Sequence, residues 1–465
     1  MSKKETIHQL TIEKWASEGK AMTRIDGKVY FIPYVIPGET VKAKTVKNKN
    51  SYAEALPLEI ISPHPKRLSP DCQYFGLCGG CKWQHIPYEM QLEVKHQQVK
   101  EQFTQIGHFA FPEILPPMKS PEIWHYRNKM DFSFSNMRWM THDEIISGKP
   151  IDHSFALGFH LPGNFKKVID IDQCLLCPDG MNEIKNYVRS QCKKYNIPAY
   201  NLLTHQGVLR SLIIRSNSLG EMMVILSATE INQPLSVILN SLPKVFPFVQ
   251  SVYFVQNNKK NDAIHDLEPK LIYGRPYLTE QLNHLKFRIH PLSFFQTNTK
   301  QTIQLYDLIE KLSDLKGHEI VYDLYSGVGT IGLYLARRCK KIIGVEYVEK
   351  AVVDAEYNAS VNHIHNAEFF AGDMAKILSS QFVDANGMPD VVITDPPRNG
   401  MDRHVCEKLL EICPEKIVYV SCNPATQARD LNWLTEKYEI VLVQPVDMFP
   451  HTYHVENVVL LKLKK

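Results

Sequence analysis

The order of apolar and polar residues in the first part of the chain predicts short β-strands joined by turns. In residues 41–47, VKAKTVK, apolar side chains alternate with lysines, which is the pattern of a strand with one buried and one basic face. Asp26-Gly27 and the PGE of residues 37–39 are turn sequences that separate such strands. Several short strands between residues 8 and 62 predict a small β-barrel of the oligonucleotide-binding (OB-like) type, to which we assign residues 1–64.

The periodicity changes in the middle of the chain, first to that of a helix and then to that of a sheet. Residues 88–106 repeat apolar side chains at helical spacing. Residues 110–290 contain strand-like runs such as KMDFSFS and EMMVILSA, separated by Gly, Asn and Pro. We therefore predict a central, mostly antiparallel β domain with the limits 65–290.

From residue 291 the pattern alternates between helices and buried strands. A helix predicted at 299–315 precedes the strand of EIVYDLYSG, and KIIGVEYV, AEFFAG, DVVITD, KIVYVS and IVLVQPVDMF follow as further strands. This βαβ alternation predicts an α/β domain, residues 291–465, with a doubly wound, Rossmann-like parallel sheet. Ligands of such sheets bind beyond the carboxyl ends of the strands, so motifs at the strand ends are the candidates for chemistry.

Composition limits the class of protein. The 465 residues exceed one ordinary core, and 44% apolar with 22% charged residues is typical of a soluble globular protein. No apolar run is long enough for a membrane helix, and the start MSKKETIHQL lacks the apolar stretch of a signal peptide. We therefore expect a cytoplasmic protein without membrane contact, whose ten cysteines are metal ligands, catalytic thiols or packing residues rather than disulfides.

The net charge of +3 is unevenly distributed along the chain. Residues 1–70 carry 12 Lys or Arg and 7 Asp or Glu, a local charge of +5. This excess favours the N-terminal domain as the contact for a polyanion such as RNA, whose phosphates its lysines would bind. An ordinary solvated face is the alternative interpretation.

The first strand of the α/β domain ends in a glycine-rich turn, DLYSGVGTIG, with Asp323 four residues before Gly327. The glycines meet the GxGxxG spacing of a dinucleotide site, but the acid before them resembles the S-adenosylmethionine site of methyltransferases, where it can meet the methionine amino group. Glu346, at the end of the second strand, can accept hydrogen bonds from the ribose hydroxyls. Asp373, at the end of the third strand, can accept one from the adenine amino group. NAD is the alternative cofactor.

The next two strands end in residues suited to covalent chemistry. DVVITDPPRNG places Asp395 in a stiff turn, and Arg398 stands where enzymes that methylate exocyclic amines often carry an aromatic residue, which disfavours an amine substrate. VYVSCNPAT places Cys422 at the same sheet edge, where its thiol could act as a nucleophile. A buried packing cysteine is the alternative.

A nucleophilic thiol beside a methyl donor suits carbon 5 of uracil, which is a poor nucleophile by itself. A thiolate that adds at C6 makes C5 reactive, and a base must afterwards remove the C5 proton. Glu456, at the edge of the last strand in VENVVLL, is our first candidate for that base, with His451 and His454 as rivals.

Four motifs, DLYSGVGTIGL, DPPRNG, SCNPAT and PHTYHVEN, together resemble those of the RNA uracil-C5 methyltransferases. The cysteine-rich stretch resembles the branch that methylates 23S ribosomal RNA, and the predicted barrel resembles the TRAM domain of that branch. The resemblance implies Cys422 as the nucleophile and Glu456 as the base. It also implies donor contacts from Gln296, Tyr325, Thr330, Glu346, Asp373 and Asp395. The chain departs from many relatives at Tyr325 and Ser326, where Phe and Cys are frequent, and from some at Thr330, where Asn occurs; size and polarity are kept.

Three cysteines, Cys72, Cys78 and Cys81, stand close together in DCQYFGLCGGCKW, and a closed metal site needs a fourth ligand. VIDIDQCLLCPDG offers Cys174 and Cys177. The resemblance implies Cys174 and a 4Fe–4S cluster. Zinc is the alternative, because the two loops also contain one C-x2-C pair each, and the spacing decides little between the two metals.

These features predict a monomeric enzyme that uses S-adenosylmethionine to form 5-methyluridine in 23S ribosomal RNA, with Arg127 and Arg398 as candidate RNA contacts. No step of that reaction requires redox chemistry, so a structural or RNA-docking role is expected for the cluster. Two other functions stay open. A transfer-RNA uracil-C5 methyltransferase would usually lack the barrel and the cysteines, and an RNA-binding protein with an inactive methyltransferase domain would not need Asp323, Cys422 and Glu456.

Overall fold

The computed structural model describes residues 6–148 and 152–465. Lys3, Lys4 and Glu5, which contribute to the N-terminal charge, lie outside the described residues. Within the described part of the chain the strands form four sheets, of six, eight, two and seven strands. None of the helices in that part is long and apolar enough to span a membrane.

The first sheet is built from the N-terminal residues. Its strands are β1 (Ile7–Thr11), β2 (Lys14–Trp15), β3 (Lys20–Ile25), β4 (Lys28–Pro33), β5 (Thr40–Asn48) and β6 (Tyr52–Ser62). The strand order is β1-β5-β6-β4-β3-β2, so β1 and β2 lie at opposite edges although only Ile12 and Glu13 separate them in the chain. The sheet must therefore curl until these two edges approach each other.

The alternation predicted for residues 41–47 is present in β5. Val41 and Ala43 are buried in the core of this sheet, whereas Lys42 is exposed. Asp26 and Gly27 have φ angles of 48° and 80° and connect β3 to β4 as a tight hairpin. A period of two and the turn residues therefore identified these strands correctly.

Helix α1 (Tyr88–Ile106) has the predicted extent and packs on the C-terminal part of the molecule. Its Val99 and Phe103 lie in one apolar cluster with Leu431. Its Lys95 forms a fully buried ion pair with Asp447. The helix thus connects the N-terminal half of the chain to the sheet that carries the predicted chemistry.

The central sheet is mostly antiparallel, as predicted. Its strands are β7 (Lys129–Ser135), β8 (Arg138–Trp139), β9 (Ala156–Leu161), β10 (Asn164–Asp170), β11 (Leu209–Ser216), β12 (Met222–Ala228), β13 (Val249–Gln256) and β14 (Lys270–Gly274). Their order is β14-β13-β12-β11-β7-β9-β10-β8, and among these described strands only β12–β13 and β8–β10 pair in parallel. The helices of this region, which sequence analysis did not predict, are α2 (His142–Ile146), α3 (Asp179–Lys194) and α4 (Gln233–Val245). The last two contribute to the core of this sheet.

The C-terminal region contains the predicted alternation of helices and strands. A hairpin of β15 (Leu278–Leu282) and β16 (Leu285–Ile289) precedes it. The strands are β17 (Ile320–Leu324), β18 (Lys341–Glu346), β19 (Ala367–Ala371), β20 (Val391–Thr394), β21 (Lys416–Ser421), β22 (Tyr438–Val446) and β23 (Glu456–Leu463). The helices are α5 (Thr299–Ser313), α6 (Thr330–Leu335), α7 (Glu349–Val361), α8 (Met374–Ile377), α9 (Ser380–Asn386), α10 (Arg403–Ile412) and α11 (Pro424–Leu434).

The C-terminal sheet is the doubly wound parallel sheet that the sequence predicted, with an antiparallel pair at one edge. Its order is β19-β18-β17-β20-β21-β23-β22, and apolar clusters cover both faces. Strand β23 runs antiparallel between β21 and β22. Its first residue therefore lies at the edge where the parallel strands end, which is the edge where ligands of such sheets bind.

Candidate active site

A cavity of about 1820 Å³ opens at the carboxyl edge of the C-terminal sheet. Seven of the residues predicted for donor binding or catalysis line it, namely Gln296, Tyr325, Glu346, Asp373, Asp395, Cys422 and Glu456. The candidate RNA contacts Arg127 and Arg398 line it as well. Residues 265–269, between β13 and β14, contribute a further part of the wall, so the cavity lies where the central and C-terminal sheets meet.

Thr330 begins helix α6 and lies outside the lining residues. Its hydroxyl is 2.8 Å from the hydroxyl of Tyr306, a buried residue of α5. The Thr330 side chain therefore holds α6 against α5 in this structure.

The glycine-rich turn between β17 and α6 is shaped by its backbone. Gly329 has a φ of 78°, and a Cβ atom there would lie 2.8 Å from the ring of Phe369, so a larger residue does not fit. The Glu346 carboxylate fixes the turn, because it accepts hydrogen bonds from the N–H groups of Gly327 at 3.0 Å and Val348 at 2.9 Å. Each carboxylate oxygen has a further lone pair with which to accept a ligand hydroxyl.

Asp323 is buried beneath this turn. Its Oδ2 accepts a hydrogen bond from the Gly332 N–H at 2.8 Å, whereas its Oδ1 is buried without a hydrogen-bond partner among the described residues. Burial, with smaller contributions from the charges of Asp395 and Glu346, raises the pKa of Asp323 to about 7. Asp323 is 1% exposed and is not one of the lining residues of the cavity, so in this structure it holds the turn through Gly332.

The two residues predicted for catalysis are neighbours across two strands. The paired register of β21 and β23 ends with Ser421 opposite Asn457; Cys422 follows β21 directly, and Glu456 is the first residue of β23. Glu456 is 5% exposed, and Cys422 is partly exposed. Both side chains line the cavity, so both can contact one bound ring.

Buried carboxyl groups change the proton affinities at this end of the cavity. Burial, reinforced by the charge of Asp395, raises the pKa of Glu456 to about 8. Burial also raises the pKa of Asp395 to about 7. Burial, together with the charges of Glu456 and Asp395, raises the pKa of the Cys422 thiol to about 12, and the guanidinium of Arg398 opposes this shift. Burial and the neighbouring carboxylates therefore favour the protonated forms of the Cys422 thiol and the Glu456 carboxyl group, and positive charge in the cavity opposes both shifts.

The two histidines that rival Glu456 have different surroundings. The buried His451 lies outside the lining residues, where its ring stacks on Trp124 with 3.8 Å between centroids and its Nδ1 is 3.2 Å from Gln91 Nε2. His454 lines the cavity, and burial is the largest cause that lowers its pKa to about 4. An imidazole with that pKa is a weak base, so Glu456 is the stronger candidate.

The DPPRNG turn is fastened to helix α11. The Arg398 carbonyl accepts hydrogen bonds from Asn423 Nδ2 at 3.1 Å and from the Thr426 hydroxyl at 3.2 Å. Asn423 also caps α11, because its Oδ1 accepts a hydrogen bond from the Ala425 N–H at 3.2 Å. These bonds hold the turn next to Cys422, the residue before the cap.

Sequence reasoning missed two exposed aromatic side chains of the cavity wall. Phe294 and Tyr347 are each 73% exposed, and both line the cavity. Phe294 precedes Gln296 by two residues, and Tyr347 follows Glu346 directly. An exposed aromatic group beside a cavity is typical of a ligand contact, and its position next to a predicted contact was the available signal.

The two cysteine-containing loops meet each other. Tyr74 joins them, because its hydroxyl accepts a hydrogen bond from the Asp172 N–H at 3.0 Å. The three thiols of the first loop all lie close enough to Cys174 for its charge to contribute to a raised pKa, although burial is the larger cause. The two loops that carry the four predicted ligands are therefore in contact.

Cys177 differs from Cys174 in its surroundings. Its thiol is buried in the core of the central sheet, 3.5 Å from the Cys174 carbonyl, whereas Cys174 is partly exposed. Among residues 6–148 and 152–465, no group of three or more His, Cys, Asp or Glu side chains is placed so that it could hold a metal ion. The cysteines are thus near one another without being gathered around one point.

Comparison with known proteins shows which family this chain is similar to. The family model of tRNA (uracil-5-)-methyltransferases matches residues 265–464. An uncharacterized RNA methyltransferase of Bacteroides thetaiotaomicron is 46% identical over 453 residues, which cover 97% of this chain and 100% of the relative. A second one, of Porphyromonas gingivalis, is 43% identical over 463 residues, with 97% and 99% covered. The solved structure of the Pyrococcus abyssi tRNA (uracil-54, C5)-methyltransferase in complex with S-adenosyl-L-homocysteine is similar with a TM-score of 0.76 and 29% identity, and the match covers 98% of this chain and 100% of that one.

Proposed function

This chain belongs to the family of RNA uracil-5-methyltransferases, which use S-adenosylmethionine, and on that premise we propose that it forms 5-methyluridine in 23S ribosomal RNA through a covalent bond to Cys422. One observation carries the mechanism. Cys422 and Glu456 line the same cavity as the residues of the glycine-rich turn. A nucleophile, a base and a donor site therefore meet in one place.

Cys422 acts as the nucleophile in this mechanism. Its thiolate adds to C6 of the uracil ring, and the electron pair of the C5–C6 double bond moves into an enolate that makes C5 reactive. Bound S-adenosylmethionine supplies an electrophilic methyl group, which C5 takes up. Glu456 then receives the proton of C5, the bond between C6 and sulfur breaks, and 5-methyluridine and the Cys422 thiolate are released.

Both groups must lose a proton for this sequence. The pKa values of Cys422 and Glu456, about 12 and about 8, fall when positive charge enters the cavity. The guanidinium charge of Arg398 already lowers the pKa of both groups. A positively charged cofactor adds to that effect, so Cys422 and Glu456 ionise more readily in the loaded site.

The donor is held by the residues that the sequence predicted. Glu346 is oriented by two backbone N–H groups and is suited to the ribose hydroxyls. Asp373 lines the cavity and caps α8, because its Oδ1 accepts a hydrogen bond from the Ala375 N–H at 3.0 Å; its other oxygen can accept the adenine amino group. Thr330 contributes by holding α6 in place. Gln296, Tyr325 and Asp395 complete the set.

Cys72, Cys78, Cys81 and Cys174 hold a 4Fe–4S cluster in this proposal. Their loops are in contact and their thiols are free of disulfide bonds. The Gly80 N–H donates a hydrogen bond to Cys78 Sγ at 3.4 Å, a contact of the kind that tunes cluster potentials. A zinc ion with Zn–S bonds of about 2.3 Å needs its sulfur atoms only about 3.8 Å apart. Among the described residues no group of three or more His, Cys, Asp or Glu side chains is placed to hold a metal ion, so the choice of the cluster rests on the resemblance of the cysteine-rich stretch. The cluster would tie the first cysteine loop to the central sheet.

The curled N-terminal sheet is a TRAM-type barrel in this account, and it binds the phosphates of the RNA. Support comes from Lys42 of β5 and Lys49, the residue after its last one, which are both exposed. Ribosomal RNA as the substrate places the enzyme in the cytoplasm. We further propose that it acts as a monomer.

Transfer RNA is the second candidate substrate. It is favoured by the similarity to the Pyrococcus abyssi enzyme, whose description names a tRNA uracil. Because that similarity covers 98% of this chain, the N-terminal sheet and the cysteine loops do not by themselves exclude transfer RNA.

Methylation in vitro separates these substrates. Purified protein is incubated with radiolabelled S-adenosylmethionine and either 23S ribosomal RNA or transfer RNA, both transcribed without modifications. We expect 5-methyluridine in the ribosomal RNA alone, no product with Cys422→Ala, and normal activity with Cys413→Ala as the matched control. Methylation of transfer RNA alone would replace the proposed substrate, and methylation by Cys422→Ala would rule out the covalent mechanism.

A further inference from the structure

The segment between β22 and β23, residues 447–455, forms part of the wall of the proposed active site. Phe449, Thr452 and His454 line the cavity, and the segment leads directly into Glu456. Its position therefore determines the shape of the cavity around the proposed base.

The loop with three cysteines continues directly into a contact with this segment. Lys82 and Trp83, which follow Cys81, donate their backbone N–H groups to the His451 carbonyl at 2.8 and 3.1 Å. Gln91 completes the contact, because its Oε1 accepts a hydrogen bond from the His451 N–H at 2.8 Å and its Nε2 donates to the Trp83 carbonyl at 3.1 Å. We call residues 82–91 the first strap.

A second strap, residues 124–127, runs beside the loop of Cys174. The backbone N–H groups of His125 and Arg127 donate to the carbonyl groups of residues 175 and 176, at 2.9 and 2.8 Å. These two hydrogen bonds fasten the strap to the second cysteine loop.

The second strap also contacts the 447–455 segment through two aromatic side chains. The Trp124 ring stacks on the His451 ring with 3.8 Å between centroids. The hydroxyl of Tyr126, which is 5% exposed, donates a hydrogen bond to the Pro450 carbonyl at 3.1 Å. The two straps start at separate cysteine loops and meet at Pro450 and His451.

We infer that the cysteine site positions the 447–455 segment of the active site, and that His451 is the positioning residue that both straps hold. The inference rests on the proposed function, because it takes the four cysteines to be ligands of one group. A group that fixes the two loops relative to each other also fixes both straps. When it is lost, the segment gains freedom, while β21 and β23 stay held by their own ladder of hydrogen bonds.

Hydrogen exchange of the full-length protein, purified without oxygen, tests this inference. Cys174→Ser removes one ligand, and Cys413→Ser, at the end of α10, is its matched control. Trp124→Ala interrupts the second strap without changing a cysteine, and Trp124→Phe keeps an aromatic ring at the same place. Iron, sulfide and zinc are measured in every sample.

We expect Cys174→Ser and Trp124→Ala to speed exchange in peptides covering 447–455 by about tenfold or more, with β21 unchanged. The kcat of RNA methylation should fall by about tenfold, because a displaced wall misplaces the base, while the Kd for S-adenosylmethionine stays the same. Trp124→Phe should restore both exchange and kcat, and Cys413→Ser should match the wild type.

Unchanged exchange at 447–455 in Cys174→Ser and Trp124→Ala would overturn the inference. So would faster exchange throughout the C-terminal sheet, which would reveal a general loss of stability instead of local positioning. The wild-type protein could contain no iron and sulfide while exchange at 447–455 is still faster in Cys174→Ser. That result would refute the proposed cluster and support the positioning role. Exchange does not depend on which RNA is methylated, so an error in the proposed substrate leaves this test intact.

Discussion

Replacement of Glu456 by glutamine should stabilise the ligand-free protein, and more strongly as the pH rises. Glu456 is 5% exposed, and burial, followed by the charge of Asp395, raises its pKa from 4.5 to about 8. Below pH 4.5 both the folded and the unfolded protein keep this proton, so the group has no effect on stability. Between pH 4.5 and 8 the unfolded protein loses the proton first, and the wild type becomes less stable with each step in pH.

The magnitude follows from these two pKa values. Each unit of difference corresponds to about 1.4 kcal/mol, so the buried carboxyl group costs about 3 kcal/mol at pH 7 and about 5 kcal/mol above pH 8. Glutamine has nearly the same shape and no proton to lose. The free energy of unfolding of Glu456→Gln should therefore be within about 1 kcal/mol of the wild type near pH 5 and exceed it by those amounts at higher pH.

Urea denaturation at about pH 5, 7 and 8.5 measures this difference. Hydrogen exchange of the β21 and β23 peptides follows the C-terminal sheet separately from the other domains. Glu439→Gln, which removes an exposed carboxylate from β22, is the matched control and should change stability little. An equal difference between Glu456→Gln and the wild type at all three pH values would refute the raised proton affinity and with it the electrostatic account of the site.

Three further predictions concern binding and turnover. Glu346→Ala should weaken S-adenosylmethionine binding by about tenfold to a hundredfold, because the ribose loses its hydrogen-bond acceptor and the Gly327 N–H loses its partner. Calorimetry measures the Kd, and Glu349→Ala, which removes an exposed carboxylate, is the control. An unchanged Kd in Glu346→Ala would contradict the assignment. Glu456→Gln should accumulate a denaturation-resistant RNA adduct at Cys422 on ordinary RNA, because the C5 proton stays in place, and normal turnover by this variant would exclude Glu456 as the base. In the wild type, kcat/KM should rise with pH through 8 and beyond, because Glu456 and Cys422, with pKa values of about 8 and about 12, must both lose a proton; a flat profile would argue against both roles.

Much of the C-terminal sheet could be predicted because its strands end in recognisable residues. The glycine-rich turn follows β17, DPP follows β20 and Cys422 follows β21, so both the strand ends and the edge that carries the chemistry were visible. Helix α3 was missed although Met181, Ile184 and Val188 recur at helical spacing on its buried side. The strand-like runs on both sides of it dominated the interpretation of the central region.

The contacts within the site could be predicted only in part, because several join segments far apart in the chain. Cys422 and Glu456 are neighbours since β23 lies between β21 and β22, an order that no local pattern encodes. The hydroxyl of Thr330 has a partner on α5 that the motif does not reveal. His451 was considered as a base, but its contact with Gln91 joins residues 360 positions apart. Side chains at strand ends were visible in the sequence, whereas their long-range partners were not.

The central claim is that the sulfur of Cys422 bonds to C6 of a uracil ring during methyl transfer. RNA that carries 5-fluorouridine at the target position tests it most directly, because a base cannot remove fluorine from C5 as it removes a proton. With S-adenosylmethionine present, the account predicts an adduct that survives denaturation, and mass spectrometry should find the methylated nucleotide on the peptide that contains Cys422. Absence of an adduct from active enzyme, or its attachment to any other residue, would contradict the account.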